Sequence, residues 1–209
     1  IRDRVKRAEG FLKTATQNAI LSRSLFEGVM AARQDALTAN APEFARTDYE
    51  AAVQRFREAA VGVEDGNMET AKRRGAEAEG LFKKAELSAI QASIVGNVRQ
   101  LLEYATNLKA EGYTPRTAAA AKSLLSEAER QITSNRYDRN VAREKAEQAE
   151  YQAQVAIYLS RLFASMDLDS RKREDFVLSV QDSIGRVSDE IGFPVRFDQG
   201  FETALSTLR

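Results

Sequence analysis

Catalysis at neutral pH draws on a short list of side chains, and two of the most used are missing here. The sequence contains no histidine and no cysteine, which removes the commonest general base, the thiolate nucleophile, and the imidazole and thiolate ligands of transition metals together. Carboxylates remain. Paired Glu residues hold di-iron centres inside helical bundles, but those centres also need a Glu-x-x-His pair. Asp65-Gly66-Asn67 and Asp167-Leu168-Asp169 have the short acidic spacing of a calcium loop. Neither runs on into the twelve-residue ladder that ends in Glu, so both read as turns. Neither phosphate-cradling element, Gly-x-x-x-x-Gly-Lys or Gly-x-Gly-x-x-Gly, is present in the sequence. No catalytic, cofactor-binding or metal-ligating residue is therefore assigned, and the chain is expected not to be an enzyme and to carry no cofactor.

The elements that would have to position any site are helices. Ala, Glu, Arg, Lys and Leu dominate, with only 3 prolines and 11 glycines in 209 residues, and 43% hydrophobic content suffices for a buried core. The expected class is all-α. Thirty-one basic side chains balance 31 acidic ones, so the chain lacks the positive field that draws nucleic acid or anionic lipid. No apolar run is long enough to span a bilayer. The pattern is already helical at Ile1, so any targeting segment is expected to lie outside this sequence. An absence of cysteine fits the cytoplasm and the periplasm equally.

Breakers fall at Asn40-Ala41-Pro42, Glu64-Asp65-Gly66-Asn67, Glu111-Gly112-Tyr113-Thr114-Pro115, Ser134-Asn135-Arg136-Tyr137 and Met166-Asp167-Leu168-Asp169. They predict helices near 3–39, 42–64, 68–110, 115–134, 138–165 and 170–191. Asn40 and Thr114 are expected N-caps ahead of Pro42 and Pro115. Gly66 and Gly112 suit the left-handed position past a helix end. Phe193-Pro194-Val195-Arg196-Phe197 reads as extended, with a short helix after Asp198.

A repeat runs through these helices. Ala8-Glu9-Gly10-Phe11-Leu12-Lys13-Thr14-Ala15 returns as Ala78-Glu79-Gly80-Leu81-Phe82-Lys83-Lys84-Ala85. A small-residue seam over Ala71, Gly75, Ala78, Phe82, Ala85, Ala89 and Ala92 returns at Ala142, Ala146, Ala149, Ala153, Ala156, Ser160 and Phe163, spaced four then three as in a coiled coil. Ala45, Tyr49, Ala52, Phe56, Ala59 and Val63 return at Thr114, Ala118, Ala121, Leu125, Ala128 and Ile132. The helix near 68–110 carries a second seam, Leu87, Ile94, Leu101 and Leu108 with Val98 and Ala105, so it serves two neighbours. The expected architecture is elongated: two repeats of about 70 residues form tandem three-helix bundles sharing a long central helix, plus a C-terminal helix. The units are residues 1–90, the first bundle; 91–165, the second; and 166–209, the C-terminal helix and tail. Small seam residues let helix axes approach, so Ala85→Leu or Ala149→Leu should overpack.

Lys72-Arg73-Arg74, Arg143-Glu144-Lys145 and the run Ser170 to Asp175 lie off the seams and read as a solvated face. Tyr113 and Tyr137 are expected to cap the bundle ends. The stripe Phe176, Val177, Val180, Ile184 and Val187 is expected to dock in cis on the end of the second bundle.

Ala41-Pro42-Glu43-Phe44 followed by Tyr49-Glu50-Ala51-Ala52 and Phe56-Arg57-Glu58-Ala59, with the hinge Glu64-Asp65-Gly66-Asn67 leading to Ala71 and Ala78-Glu79, resembles the helical repeat region of bacterial envelope lipoproteins of the OmpA-associated kind. In that family such segments stand before a peptidoglycan-binding domain. Gly112-Tyr113-Thr114-Pro115 with Glu127-Ala128-Glu129 looks like a second copy, so the resemblance covers about residues 8–165. It implies a non-enzymatic structural or adaptor rod of the cell envelope, periplasmic and outer-membrane associated, acting as a spacer or docking module. Residues 1–209 include neither the lipid-bearing cysteine nor the peptidoglycan-binding domain of that plan, and both are expected to lie outside them. Peptidoglycan would then be reached only through a domain outside this chain, and no binding residue is carried over. The alternative is a cytoplasmic helical adaptor that binds a partner protein's helix. Either way a protein partner is expected, with a homodimer as one form, and neither nucleic acid nor a membrane span.

Overall fold

The computed structural model describes residues 2–169, 171–192, 195–198 and 200–206. Among them are ten helices and no strand: α1 (Arg2–Leu25), α2 (Glu27–Thr38), α3 (Ala41–Phe44), α4 (Arg46–Glu64), α5 (Met68–Asn107), α6 (Ala110–Tyr113), α7 (Pro115–Ser134), α8 (Asn140–Leu168), α9 (Arg171–Glu190) and α10 (Phe201–Ser206). The protein is all-α.

Three breaks depart from the sequence reading. The helix expected over 3–39 is interrupted at Phe26 (φ −108°, ψ 17°). That ring turns inward to meet Phe56 edge-on, centroids 5.3 Å apart, and lies over Gly75, where an added Cβ would stand 3.0 Å from it. Asn40 stands at the N-cap position of α3 but makes no side-chain cap hydrogen bond. It adopts the left-handed conformation (φ 56°), which Asn tolerates better than most residues, and its side chain donates to the Glu43 carboxylate. Lys109, not Gly112, takes the same conformation 69 residues later (φ 57°), and Gly112 lies inside α6. Gly66 does occupy the left-handed position after α4 (φ 72°). Thr114 makes no cap hydrogen bond; its hydroxyl donates back to the Ala110 carbonyl at 3.1 Å and lies 3.4 Å from that of Ser160.

The two turns share one backbone path. A left-handed residue (Asn40, Lys109) precedes a four-residue helix, then a residue in an unusual conformation (Ala45 at φ −141°, ψ 45°; Thr114 at φ −136°, ψ 55°), then a long helix. Segments of such different local sequence follow the same path, and the helices that pack against each, α4 and α5 on α3 and α7 and α8 on α6, correspond through the repeat. Ala41, Ala52, Ala59 and Val63 are buried, as are Ala110, Ala121, Ala128 and Ile132, each 69 residues on.

Helix α5 is the organising element. Forty residues at 1.5 Å each make it about 60 Å long. Its first half packs against α2 and α4: Gly62 of α4 sits where a Cβ would be 3.0 Å from the Ala71 backbone, and Tyr49 meets Phe82 at 5.6 Å. Its second half lies against α7 and α8, with Arg99 bonded to Glu129 at 2.6 Å and Asn97 to Glu150 at 2.8 Å. The seam of α5 from Ala71 to Ala89 and that of α8 from Ala142 to Ser160 are buried throughout. The largest hydrophobic cluster runs from Phe26 to Ala153, and a smaller one joins Ala105, Ala110, Ala118, Ala156 and Ile157.

Ala85 and Ala149 are both 0% exposed. Leucine at either position must push two helix axes apart, with an expected loss of about 1–3 kcal/mol in urea unfolding. Unchanged midpoints would show that the contact yields without cost.

The C-terminal part follows its expectation in part. Helix α9 contacts α8 beside their junction. Phe176, Val180 and Ile184 are half-buried, while Val177 and Val187 are exposed. The apolar stripe is thus only partly covered. Val195, Arg196 and Phe197 form no regular element, α10 follows as expected, and Phe193 and Pro194 lie outside the described residues.

Candidate functional site

The residues with calcium-like spacing are engaged at helix ends. Asp65 closes α4, and Asn67 opens α5 by accepting a hydrogen bond from the Thr70 N–H at 3.0 Å. Asp169 accepts from the Arg171 guanidinium and from its backbone N–H, and these bonds hold its carboxyl below the usual range. The Asp167 carboxylate acting on the Tyr113 hydroxyl, together with burial, raises that phenol above its ordinary value. Among the described residues no group of three or more carboxylates is placed to hold a metal ion. None of their helices is long and apolar enough to cross a membrane.

The tyrosines divide. Tyr113 is half-buried at the end of α6. Tyr137 does not cap the other end: it is 74% exposed, because the five-residue link between α7 and α8 is held instead by Arg136. Tyr104 packs under the Arg161 guanidinium, 5.4 Å from ring centre, and accepts its hydrogen bond. Tyr151 and Tyr158 stand exposed on α8.

The charged stretches lie off the seams and bridge neighbouring helices. Arg74 reaches Glu58 at 2.8 Å and Arg55 reaches Glu77 at 2.7 Å, linking α4 to α5. Lys145 and Glu127 pair at 3.1 Å between α8 and α7. These positions correspond: Glu127 follows Glu58 by 69 residues, and Lys145 follows Arg74 by 71. Burial of Glu77 works against its ionisation, but hydrogen bonds from Arg55 and Arg73 outweigh it and lower the carboxyl.

Asp48 is the best-placed acid on the α4–α5 contact. It accepts from Lys84 Nζ and from the Ser88 hydroxyl, both at 2.8 Å, and these bonds lower its carboxyl below the ordinary range. A depressed folded value means that its contribution is complete above about pH 4, the unfolded value, and disappears as pH falls through the folded one. Asp48→Asn should therefore flatten the acid limb of a stability–pH curve below pH 4. An identical limb in the variant would assign acid unfolding elsewhere.

One side-chain pair carries a signal that helix periodicity does not show. The Glu86 side chain is 4% exposed and accepts from Arg136 at 3.1 Å; Arg136 also donates to the Lys83 carbonyl at 3.3 Å. An acid immediately after the seam residue Ala85 is the trace of it in the sequence.

An open groove of 680 Å³ over α3 and α4 is lined by Pro42, Arg46, Tyr49, Glu50, Val53, Gln54 and Arg57. It has no convergent set of ionisable groups of one kind. Helix α1 carries an uncovered apolar face, and none of its residues is buried. Val5, Ala8, Phe11, Leu12, Ala15 and Ala19 fall on one side of that helix, with Phe11 76% and Leu12 69% exposed.

Among the described residues, charged side chains join α4 to α5 and α7 to α8, and α1 leaves Val5, Phe11, Leu12, Ile20 and Leu21 exposed. Compared with protein families, with curated proteins and with solved structures, the chain shows no significant match.

Proposed function

We propose that the chain is a non-enzymatic rod, two three-helix bundles in tandem sharing α5, that serves as a structural spacer or docking module in the bacterial cell envelope, on the periplasmic side of the outer membrane. The observation that carries the tandem reading is the in-phase burial of equivalent positions: six seam residues of α5 and six of α8, 71 residues apart, bury against α4 and α7 respectively. Because α5 meets α4 along one half and α7 and α8 along the other, the same helix ends one bundle and begins the next. A stacked unit of this kind transmits distance and presents faces. The envelope assignment rests on the resemblance of the 41–59 and 64–79 segments to envelope lipoprotein repeats.

Two measurements test the two parts. A compact chain of 209 residues has a radius of gyration of about 17 Å. Scattering should give a clearly larger value with a skewed distance distribution, and a value near 17 Å would remove the tandem rod. Fractionation of cells making the protein from its natural reading frame should place it in the periplasmic or outer-membrane fraction; recovery in the cytosol would favour the cytoplasmic adaptor.

A further inference from the structure

The apolar face of α1 is the third occurrence of a surface that is covered in its other two. With an offset of 70, Ala8, Leu12, Ala15 and Ala19 correspond to Ala78, Phe82, Ala85 and Ala89 of α5. With a further 71, they correspond to Ala149, Ala153, Ala156 and Ser160 of α8. The eight later residues are all buried. Leu12 is 69% exposed, and nothing in α1 is buried.

What covers the surface in α5 and α8 is known in residue detail. In each case it is a helix with alanines seven apart and a branched residue four further on: Ala52, Ala59 and Val63 in α4, Ala121, Ala128 and Ile132 in α7. A glutamate beside the second alanine, Glu58 or Glu127, pairs with a base on the seam helix, Arg74 or Lys145. The residue of α1 in that register is Arg4, and it takes part in no ion pair among the described residues. Helix α1 as a whole carries six basic and two acidic side chains, so an occupant with an acidic edge is favoured over a second α1.

We infer that α1 is a docking helix for one more unit of this repeat: a helix with alanines seven apart, a branched residue at one end, and a glutamate opposite Arg4. The inference rests on the tandem reading proposed above. It makes the chain a joint in a longer stack, since stacked units need neighbours to bury faces that each leaves open.

The test supplies the missing unit. Residues 40–70 are duplicated directly ahead of Ile1, so that the copied α4 and its Asp65-Gly66-Asn67 hinge lead into α1 as they lead into α5. Amide exchange over residues 4–22 should slow at least about tenfold, while exchange in α5 and α8 stays unchanged and reports that the chain is folded. Placing Ala52→Glu and Ala59→Glu in the appended copy should abolish the protection. Arg4→Glu should weaken it, and Glu58→Arg in the copy should restore it. Unslowed exchange in the fusion, or protection indifferent to the two glutamates, overturns the docking. So does protection of α1 in the unfused chain that grows with protein concentration, which assigns the face to a second copy, or with added anionic phosphatidylglycerol vesicles, which assigns it to a lipid surface. An extended particle with unprotected α1 ends the docking alone; a compact particle ends the tandem reading too.

Discussion

Phe82→Ala is expected to destabilise the protein by about 3–5 kcal/mol, the largest effect of any single truncation in the core. Phe82 is among the largest side chains with no exposed surface, and the seam around it consists of alanines, which cannot extend to fill the space a benzyl group leaves. Tyr49, whose ring meets Phe82 at 5.6 Å, loses its edge-to-face partner in the same change. Neighbours in a leucine-rich core can tilt into a void; helices already in close contact through methyl groups have less to offer. Urea unfolding should show a lower midpoint with an unchanged slope. A loss below about 1 kcal/mol would mean that α4 and α5 close over the gap, and the picture of small residues fixing the helix spacing would have to be given up. At the equivalent position of α8 stands Ala153, also fully buried. That contact has no aromatic centre, so it offers no truncation of comparable size.

Removing Arg136 should cost about 3 kcal/mol, at the low end of what breaking a buried pair costs, because it strands the Glu86 carboxylate with 4% of its side chain exposed. Arg136 itself is 28% exposed, so water at the link softens the penalty. The instructive comparison is a cycle of Arg136→Met, Glu86→Leu and both together. The double variant should recover most of the loss, because an apolar pair of similar volume needs no ionic partner. If Arg136→Met alone changes stability by less than about 0.5 kcal/mol, the pair is an incidental contact. A non-recovering double variant would instead show that Arg136 matters through its bond to the Lys83 carbonyl at 3.3 Å.

Much of this architecture was legible because its cause is local or periodic. Seam positions read from spacing alone, such as Ala78, Ala85, Ala149 and Ala156, are buried, since a helix places residues three and four apart on one face whatever lies opposite. The breakers at Gly66 and Pro115 stand at helix boundaries for equally local reasons, a left-handed conformation in one case and a missing N–H in the other. The misses share a different origin. Lys109 rather than Gly112 turns left-handed, although glycine is the cheaper residue there, because burial of Ala110 between its neighbours decides where the chain must turn. Phe26 interrupts a helix that its flanking sequence would continue, because Phe56 and Gly75 offer its ring a place. Tyr137 was expected over a bundle end and points to solvent, the link being held by an arginine to a buried glutamate.

By itself, then, the sequence determined that the chain is helical, where breakers such as Gly66 and Pro115 bound its helices, and which side of each is apolar, since propensity, breakers and a period near 3.6 act within a few residues. Only the tertiary structure decided which of those apolar sides finds a neighbour. The stripe of α5 and its relative in α8 are closed over, while the stripe of α1, written in nearly the same residues, lies open. Burial depends on what another part of the molecule brings within van der Waals reach, and no local pattern encodes that.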